Sequence, residues 1–468
     1  MLADWIKYLD DVVWGPPMIV LLIGTGMFLT LHFRGLPIRN LGYALGLALG
    51  KDARKNSEDE GGVSPFSSLM TELAASIGTG NIIGVASAVN LGGPGALFWM
   101  MLSALTGFSL KFSESFLSVK YRVKGKSGQY CGGPMYTLAQ AFPDRRLGRI
   151  LGKLYALFAV MASFGMGNMT QSNSISLAVE ETFHISRGLS GLFVAILTIL
   201  VILGGIGTIA AFTRYLVPVM AIFYMAGALW VIGVNCGNLP TGIASVIESA
   251  FSLKAVGGGA VGICSASVFR SMRYGVSRGI FSNEAGLGAG GITAAAAQTD
   301  DPVRQGYISM TGVFLDTMVI CLVTGLVLVT ADLPYAPGIE TEACAGTTLV
   351  IAAFSTVFGK TGGYLVSIGI TLFAFATIIG WEYQGEKAFE FVTGRRHCEV
   401  VYRFAYGLAA FAGAICTMET VWCFSDLANA LMAVPNLICV IVLSKTIRQE
   451  ILSYEKLRKR KTPPFCSR

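Results

Sequence analysis

Apolar stretches long enough to cross a bilayer recur along the whole chain, each separated from the next by a short polar segment. Eleven are read from the pattern, at 17–33, 66–91, 94–119, 150–178, 189–209, 214–235, 257–297, 305–331, 361–392, 400–417 and 421–444. The expected fold class is an all-α polytopic membrane protein. Spans two and seven are interrupted. Span two carries Ser76, Ile77, Gly78, Thr79, Gly80, Asn81, Ile82, Ile83 and Gly84 near its centre. Span seven runs from Arg278 through Ser282, Asn283 and Glu284 to Gly291, with Gly279, Gly286, Gly288 and Gly290 among them. A helical glycine costs about 1 kcal/mol relative to alanine. Lipid adds to that cost, because freed N–H and C=O groups find no water there. A glycine-rich packing face between helices is one reading. Two discontinuous helices holding a small solute at the midplane is the other.

The placement of the two interruptions favours the second reading. They lie five spans apart, and the charge pattern gives those spans opposite directions. Lys and Arg crowd into 34–55, 120–153, 395–403 and the segment from 445 to the end, whereas 332–342 is acidic. Crowded loops are cytoplasmic, which puts the N-terminus outside and the C-terminus inside and agrees with an odd number of spans. The expected organisation is an extra helix and cytoplasmic loop at 1–64, a five-helix repeat at 65–235, an inverted five-helix repeat at 236–445, and a basic cytoplasmic tail at 446–468. Span one is read as an anchor and not a signal peptide, since Asp4, Asp10 and Asp11 outweigh Lys7 before it.

Composition narrows the classes further. A mean hydropathy of +0.62 rules out an ordinary soluble domain, and the net charge of +7 follows from the loop pattern and does not indicate nucleic acid. The 10 cysteines are scattered without a CxxC pair and the 3 histidines lie far apart, so neither a disulfide framework nor a metal centre of these residues is expected. No obligate protein partner is evident; the bilayer is the expected surrounding.

An unwound helix end offers N–H groups for a carboxylate and carbonyls for an ammonium or sodium ion. Thr79, Gly80 and Asn81 open the second half of span two and are candidates for an anionic group, so a zwitterionic amino acid suits both ends. In span four, Asn168, Gln171, Ser172, Asn173, Ser174 and Ser176 are either interhelical hydrogen bonds or the lining of an aqueous path. The density of the cluster tilts the reading to the path, with Gln171 as the substrate contact. Phe373, Thr377 and Trp381 share a face of span nine, and the Thr377 hydroxyl suits sodium. Glu72, Glu114, Glu284 and Asp316 fall inside spans, where a carboxylate is costly unless paired. Lys111 is expected to pair with Glu114, and Arg270, Arg273 or Arg278 with Glu284. Asp316 has no partner nearby in sequence and is the candidate for ion or proton coupling.

Other classes are weak. HExxH is absent, and Gly359, Lys360 and Thr361 lack the first glycine of a Walker A loop, so a membrane-embedded enzyme has no motif behind it. A channel with glycine-rich re-entrant segments remains conceivable.

Several motifs together identify a family. Ile77 to Ala86, Gly92 to Ala96, Lys120 to Arg122, Gly132 to Tyr136, Gln171 to Asn173, Arg273 to Gly275, Gly279 to Gly288, and Gly380 with Trp381 run in its order. The chain resembles the alanine or glycine:cation symporters, the sodium:alanine symporters of prokaryotic cell membranes. The resemblance implies a leucine-transporter-like 5+5 inverted repeat with one added helix. It also implies alternating access with a small neutral amino acid, alanine or glycine, moving with Na+; H+ is the alternative ion, and glutamine or a D-amino acid the alternative solute. Carried onto this chain, Thr79, Gly80, Asn81 and Gln171 would bind substrate, with Phe281 and Trp381 flanking its side chain. A sodium site would lie where carbonyls near Ala74 and Ile77 meet Thr377. Two positions depart from the family. Ala376 stands where a serine is common, removing a hydroxyl near the sodium site, and Glu382 stands where a smaller polar residue is usual.

Overall fold

The computed structural model describes residues 13–54, 62–125, 128–251, 260–331, 333, 344–394 and 399–461. The acidic segment 332–342, apart from residue 333, and the residues before 13 lie outside these. Helices stand at each of the eleven predicted spans. Span one is Pro16–His32, span three Gly95–Lys120, span five Arg187–Ile202, span six Gly205–Val234, span nine Thr361–Thr393, span ten Glu399–Ile415 and span eleven Met418–Val442. Among the described residues, six helices are individually long and apolar enough to cross a membrane, the others being shorter or broken.

Spans two and seven break as their glycines predict. Span two is Pro65–Ser76, a single tight turn Thr79–Asn81, then Ile83–Gly92. Span seven is Ala260–Asn283 followed, after a gap, by Ala289–Ala294. Spans four and eight contain a feature that hydropathy does not reveal. Each widens into a π-helical turn, Gly165–Met169 between Arg145–Phe164 and Thr170–Phe183, and Phe314–Cys321 between Pro302–Val313 and Leu322–Thr330. Such widened turns leave carbonyls and side chains off the ordinary helical register.

Further helices lie between the spans: Leu36–Arg39, Leu41–Leu49, Pro134–Ala141, Leu239–Phe251 and Cys344–Phe358. The expected tail at 446–468 belongs largely to a helix, Ser444–Lys461.

One junction ties the start of span two to the end of span seven. Val63 and Ala297 form a parallel bridge, with Val63 N donating to Ala296 O at 3.0 Å and Gln298 N to Val63 O at 2.8 Å. The Arg122 guanidinium, following span three, donates to Ala295 O at 3.0 Å, Ala297 O at 2.6 Å and Thr299 O at 2.5 Å. Arginine's fixed fork satisfies several freed carbonyls at once.

Candidate solute and ion site at the broken helices

The first half of span two starts cleanly. Ser64 caps it by accepting from Ser67 N at 3.2 Å, and Pro65 takes the first helical position. It ends at Ile77, and Gly78 is extended. A Cβ on Gly78 would collide with the Thr377 hydroxyl and come within 3.0 Å of Gln171 Oε1, so only glycine fits there. A Cβ on Gly80 would press on Phe281 Cδ1 at 3.1 Å and Ser282 Cα at 3.2 Å. The freed N–H groups find neutral amides. Gly78 N donates to Asn81 Oδ1 at 2.9 Å, and Thr79 N to Gln171 Oε1 at 3.1 Å. Gln171 Nε2 donates back to Met166 O at 2.9 Å, a carbonyl within the π turn of span four. The Thr79 hydroxyl is fully buried and has no hydrogen-bond partner among the described residues.

The far side of Asn81 leads to Asp316. Because Asn81 Oδ1 is taken by Gly78 N, its Nδ2 faces Asp316 Oδ1, at 2.7 Å. Asp316 Oδ2 accepts from Ser282 Oγ at 2.8 Å and Thr317 Oγ1 at 2.7 Å. Asp316, in the π turn of span eight, therefore joins span two to span seven. Its partners come from across the fold and from the adjacent Thr317, and three donors around one buried carboxylate suit its acceptor chemistry.

The cation end lies on span nine. Thr377 Oγ1 sits 3.1 Å from Ala74 O, 3.3 Å from Ile77 O and 3.2 Å from Phe373 O. A hydroxyl has one proton for those three acceptors. In a continuous helix Ala74 O would receive Gly78 N, but that N–H goes to Asn81. Phe373 O also takes the helical N–H of Thr377, so the Ala74 and Ile77 carbonyls are the ones left with only the Thr377 hydroxyl proton between them. The four oxygens together are a donor set that fits a small hard cation. The neighbouring Ala376 is buried and adds none.

Span seven is satisfied differently. Glu284 adopts a left-handed backbone at φ 58°, and Gly286 and Gly288 at φ 98° and 77°. Lys111 Nζ donates to Asn283 O at 3.3 Å, Glu114 Oε1 accepts from Gly286 N at 2.8 Å, and Asn436 Nδ2 donates to Gly286 O at 2.8 Å. Asn283 Oδ1 accepts from Ala285 N at 2.9 Å, and Tyr155 Oη donates to Leu287 O at 3.0 Å. The expected Lys111–Glu114 pair does not form. Lys111 pairs with Glu72 at 3.2 Å, both buried, and Glu114 caps the break. Helical spacing placed Lys111 and Glu114 on one face, but both turn to the break, one meeting a carbonyl and the other an N–H. The expected arginine partner of Glu284 is also corrected: Glu284 Oε1 accepts from Trp381 Nε1 at 2.6 Å. Arg278 pairs instead with Asp426 of span eleven, at 3.0 Å.

The polar face of span four is corrected as well. Asn168 donates to Tyr406 O at 2.6 Å, Ser172 to Ala410 O at 2.7 Å, Asn173 to Gly413 O at 2.8 Å, and Ser176 to Ala414 O at 2.8 Å. These hydrogen bonds fasten span four to span ten. Gln171 alone of the group contacts the break in span two.

Phe281 lies against Gly80, as expected of a residue near the site. It stacks on Trp422 at 5.0 Å, and Arg278 covers that indole at 4.8 Å. Trp381 packs against Gly167 of the π turn, where any Cβ would clash with it. Glu382 faces Arg403 at 3.6 Å, and Arg403 bonds Glu386 at 2.7 Å. Sequence reasoning missed Trp422, Asp426 and Asn429 on span eleven. Asn429 is 1% exposed, donates to Met166 Sδ at 2.9 Å, and has an amide oxygen without a partner among the described residues. A buried asparagine in an apolar span was the available signal.

The sodium:alanine symporter family model matches residues 1–467. The chain is 44% identical to the sodium/alanine symporter AgcS of Methanococcus maripaludis, over 97% of each chain. It is 35% identical to the protein named "Probable sodium/glutamine symporter GlnT" of Bacillus subtilis, over 97% of this chain and 91% of that one. Among solved structures it resembles MhsT in complex with L-phenylalanine, with a TM-score of 0.57, 12% identity, and coverage of 81% of this chain and 88% of that one. At that identity the likeness is one of fold, and the fold is leucine-transporter-like.

Proposed function

From the premise that this chain belongs to the sodium:alanine symporter family, we propose that it imports alanine or glycine together with Na+ by alternating access. The chain is a multi-pass membrane symporter and not an enzyme. The supporting observation is the state of the span-two break, where the Thr79 hydroxyl is buried and unpartnered while the Ala74 and Ile77 carbonyls share one hydroxyl proton.

In this reading the solute carboxylate takes the Thr79 hydroxyl and the backbone of Gly80, with Gln171 and Asn81 holding the loop open through Thr79 N and Gly78 N. Phe281 and Trp381 bound the side chain. Sodium binds among Ala74 O, Ile77 O, Phe373 O and Thr377 Oγ1. Asp316 couples the two broken spans because it holds Asn81 of one and Ser282 of the other. With the N-terminus outside and the C-terminus inside, the Arg278–Asp426 pair closes the outer side and Arg403 with Glu382 and Glu386 the inner side. The two helix bundles rock against one another about the site, so that both solutes leave inside. Solute and ion then raise one another's affinity by the same factor.

Uptake of labelled L-alanine and glycine into proteoliposomes tests this. Concentrative uptake driven by a sodium gradient is expected. Uptake driven only by a proton gradient would move the coupling to Asp316, and glutamine in place of alanine would move the solute assignment. Asp316→Asn is expected to alter ion dependence with little change in the amount of folded protein.

A further inference from the structure

A single residue, Leu443, separates the helix Ser444–Lys461 from the end of span eleven at Val442, which places its start at the membrane boundary. Its inner face is fastened to three other elements. Lys120 at the end of span three bonds Glu450 at 2.7 Å. Glu455 accepts from Asn40 at 3.1 Å and from Tyr307 of span eight at 3.0 Å, and pairs with Arg458 at 2.9 Å. Arg458 covers the Tyr43 ring at 4.2 Å, and Tyr43 and Tyr454 share a hydrogen bond of 2.7 Å. Ile447 and Ile451 are buried beneath.

The outer face has a different chemistry. Lys445, Lys456, Lys459 and Arg460 are exposed, and Leu457 among them is 58% exposed. Arg34 and Arg39, just after span one, are exposed too, and Lys445 and Arg448 lie within electrostatic reach of His32 at the end of that span. The adjoining helix Leu41–Leu49 carries no charge and turns Gly42, Gly46 and Leu49 outward. An apolar face beside a basic one, both at the end of membrane spans, matches a surface lying in the boundary between acyl chains and headgroups.

We propose that Leu41–Leu49 and Ser444–Lys461 together form a platform that binds anionic phospholipid headgroups. The apolar helix enters the acyl boundary while Lys456, Lys459 and Arg460 hold the phosphates. Tyr307 joins this platform to span eight, the helix that also carries Asp316, so lipid composition bears on the helix that links both breaks.

The test uses the full chain reconstituted with phosphatidylcholine and a minority of phosphatidylglycerol. The anionic-to-zwitterionic ratio of lipid retained on mild detergent extraction is read by mass spectrometry. Each basic residue at a surface is worth roughly fivefold in lipid affinity before screening. The triple variant K456Q/K459Q/R460Q is therefore expected to retain phosphatidylglycerol at least about tenfold less than the unaltered protein. R145Q/R146Q/R149Q, an equal charge change at the start of span four, is expected to lower retention distinctly less, by about fivefold at most. Equal retention by the first triple, equal loss by both triples, or displacement of the bound lipid by millimolar inorganic phosphate would each overturn the proposal. Retention is read without transport, so its failure is separate from failure of the symporter reading. In uptake assays, phosphatidylglycerol is expected to change the rate of the unaltered protein and not that of the first triple.

Discussion

The two broken helices solve the same problem with opposite chemistry. Both free backbone groups inside a membrane, where each unsatisfied group is costly. In span seven those groups meet strong partners from neighbouring helices: Lys111 on Asn283 O, Glu114 on Gly286 N, Asn436 on Gly286 O and Tyr155 on Leu287 O. In span two the side-chain partners are the amides of Asn81 and Gln171 and one shared hydroxyl on Thr377, none of them charged, and the Thr79 hydroxyl meets nothing among the described residues. A break capped by charges is a permanent piece of architecture. In the proposed function, a break left short of partners is where a visiting solute and ion complete the hydrogen bonding. The two glycine-rich motifs look equivalent in sequence, yet the structure gives their freed backbone groups different partners.

The largest consequence falls on span seven. Lys111→Met leaves Glu72 buried without its cation and opens Asn283 O, and removing one partner of a buried pair costs about 3–5 kcal/mol. The expected result is a steep loss of folded protein and of melting temperature in detergent. Lys111→Met with Glu72→Gln is expected to recover part of it. A stable Lys111→Met protein that merely transported poorly would erase the distinction between the breaks.

Changes at span two are expected to spare the fold and strike the ligands. Gln171→Leu strands Thr79 N, and loss of one hydrogen bond at a buried donor costs about 1–3 kcal/mol. The loop then loses a contact that keeps its carboxylate site in place, so half-saturating solute should rise by roughly tenfold. The apo melting temperature should fall modestly, since the Thr79–Gln171 bond is present without solute. Thr377→Val removes the hydroxyl and keeps the shape. The sodium concentration for half-maximal uptake is expected to rise about tenfold, equivalent to about 1.4 kcal/mol, with solute affinity at saturating sodium nearly unchanged. The smallest effect is expected at the seam between spans four and ten. Ser172→Ala removes its bond to Ala410 O, and interhelical hydrogen bonds in membranes average about 0.6 kcal/mol. A slight fall in melting temperature with normal uptake is expected there, and a strong transport defect would return that face to the role of a solute path.

Hydropathy and charge made the spans, the two breaks and their opposite directions legible, because those features are written in consecutive residues. Thr79, Asn81, Gln171 and Thr377 were legible as polar exceptions within apolar helices, and the structure brings all four together. The partners of the buried charges were not. Lys111 to Glu114 is a plausible pair by helical spacing, yet Glu72 lies 39 positions before Lys111 and is the residue that meets it. Arg278 likewise reaches Asp426, 148 positions away. The π turns at Gly165–Met169 and Phe314–Cys321 left no hydropathic trace, although one supplies the carbonyl that holds Gln171 and the other contains Asp316. A polar stripe such as Asn168, Ser172 and Ser176 reads the same whether it faces water or another helix, and only packing against span ten decides it.

Equilibrium binding of labelled L-alanine and glycine to the purified protein, measured across a sodium titration for the unaltered chain and for Thr377→Val, tests the central claim most directly. The account predicts solute binding that requires sodium in the unaltered protein and needs about tenfold more sodium in the variant. Binding that ignores sodium, or a sodium requirement that Thr377→Val leaves unchanged, would contradict it.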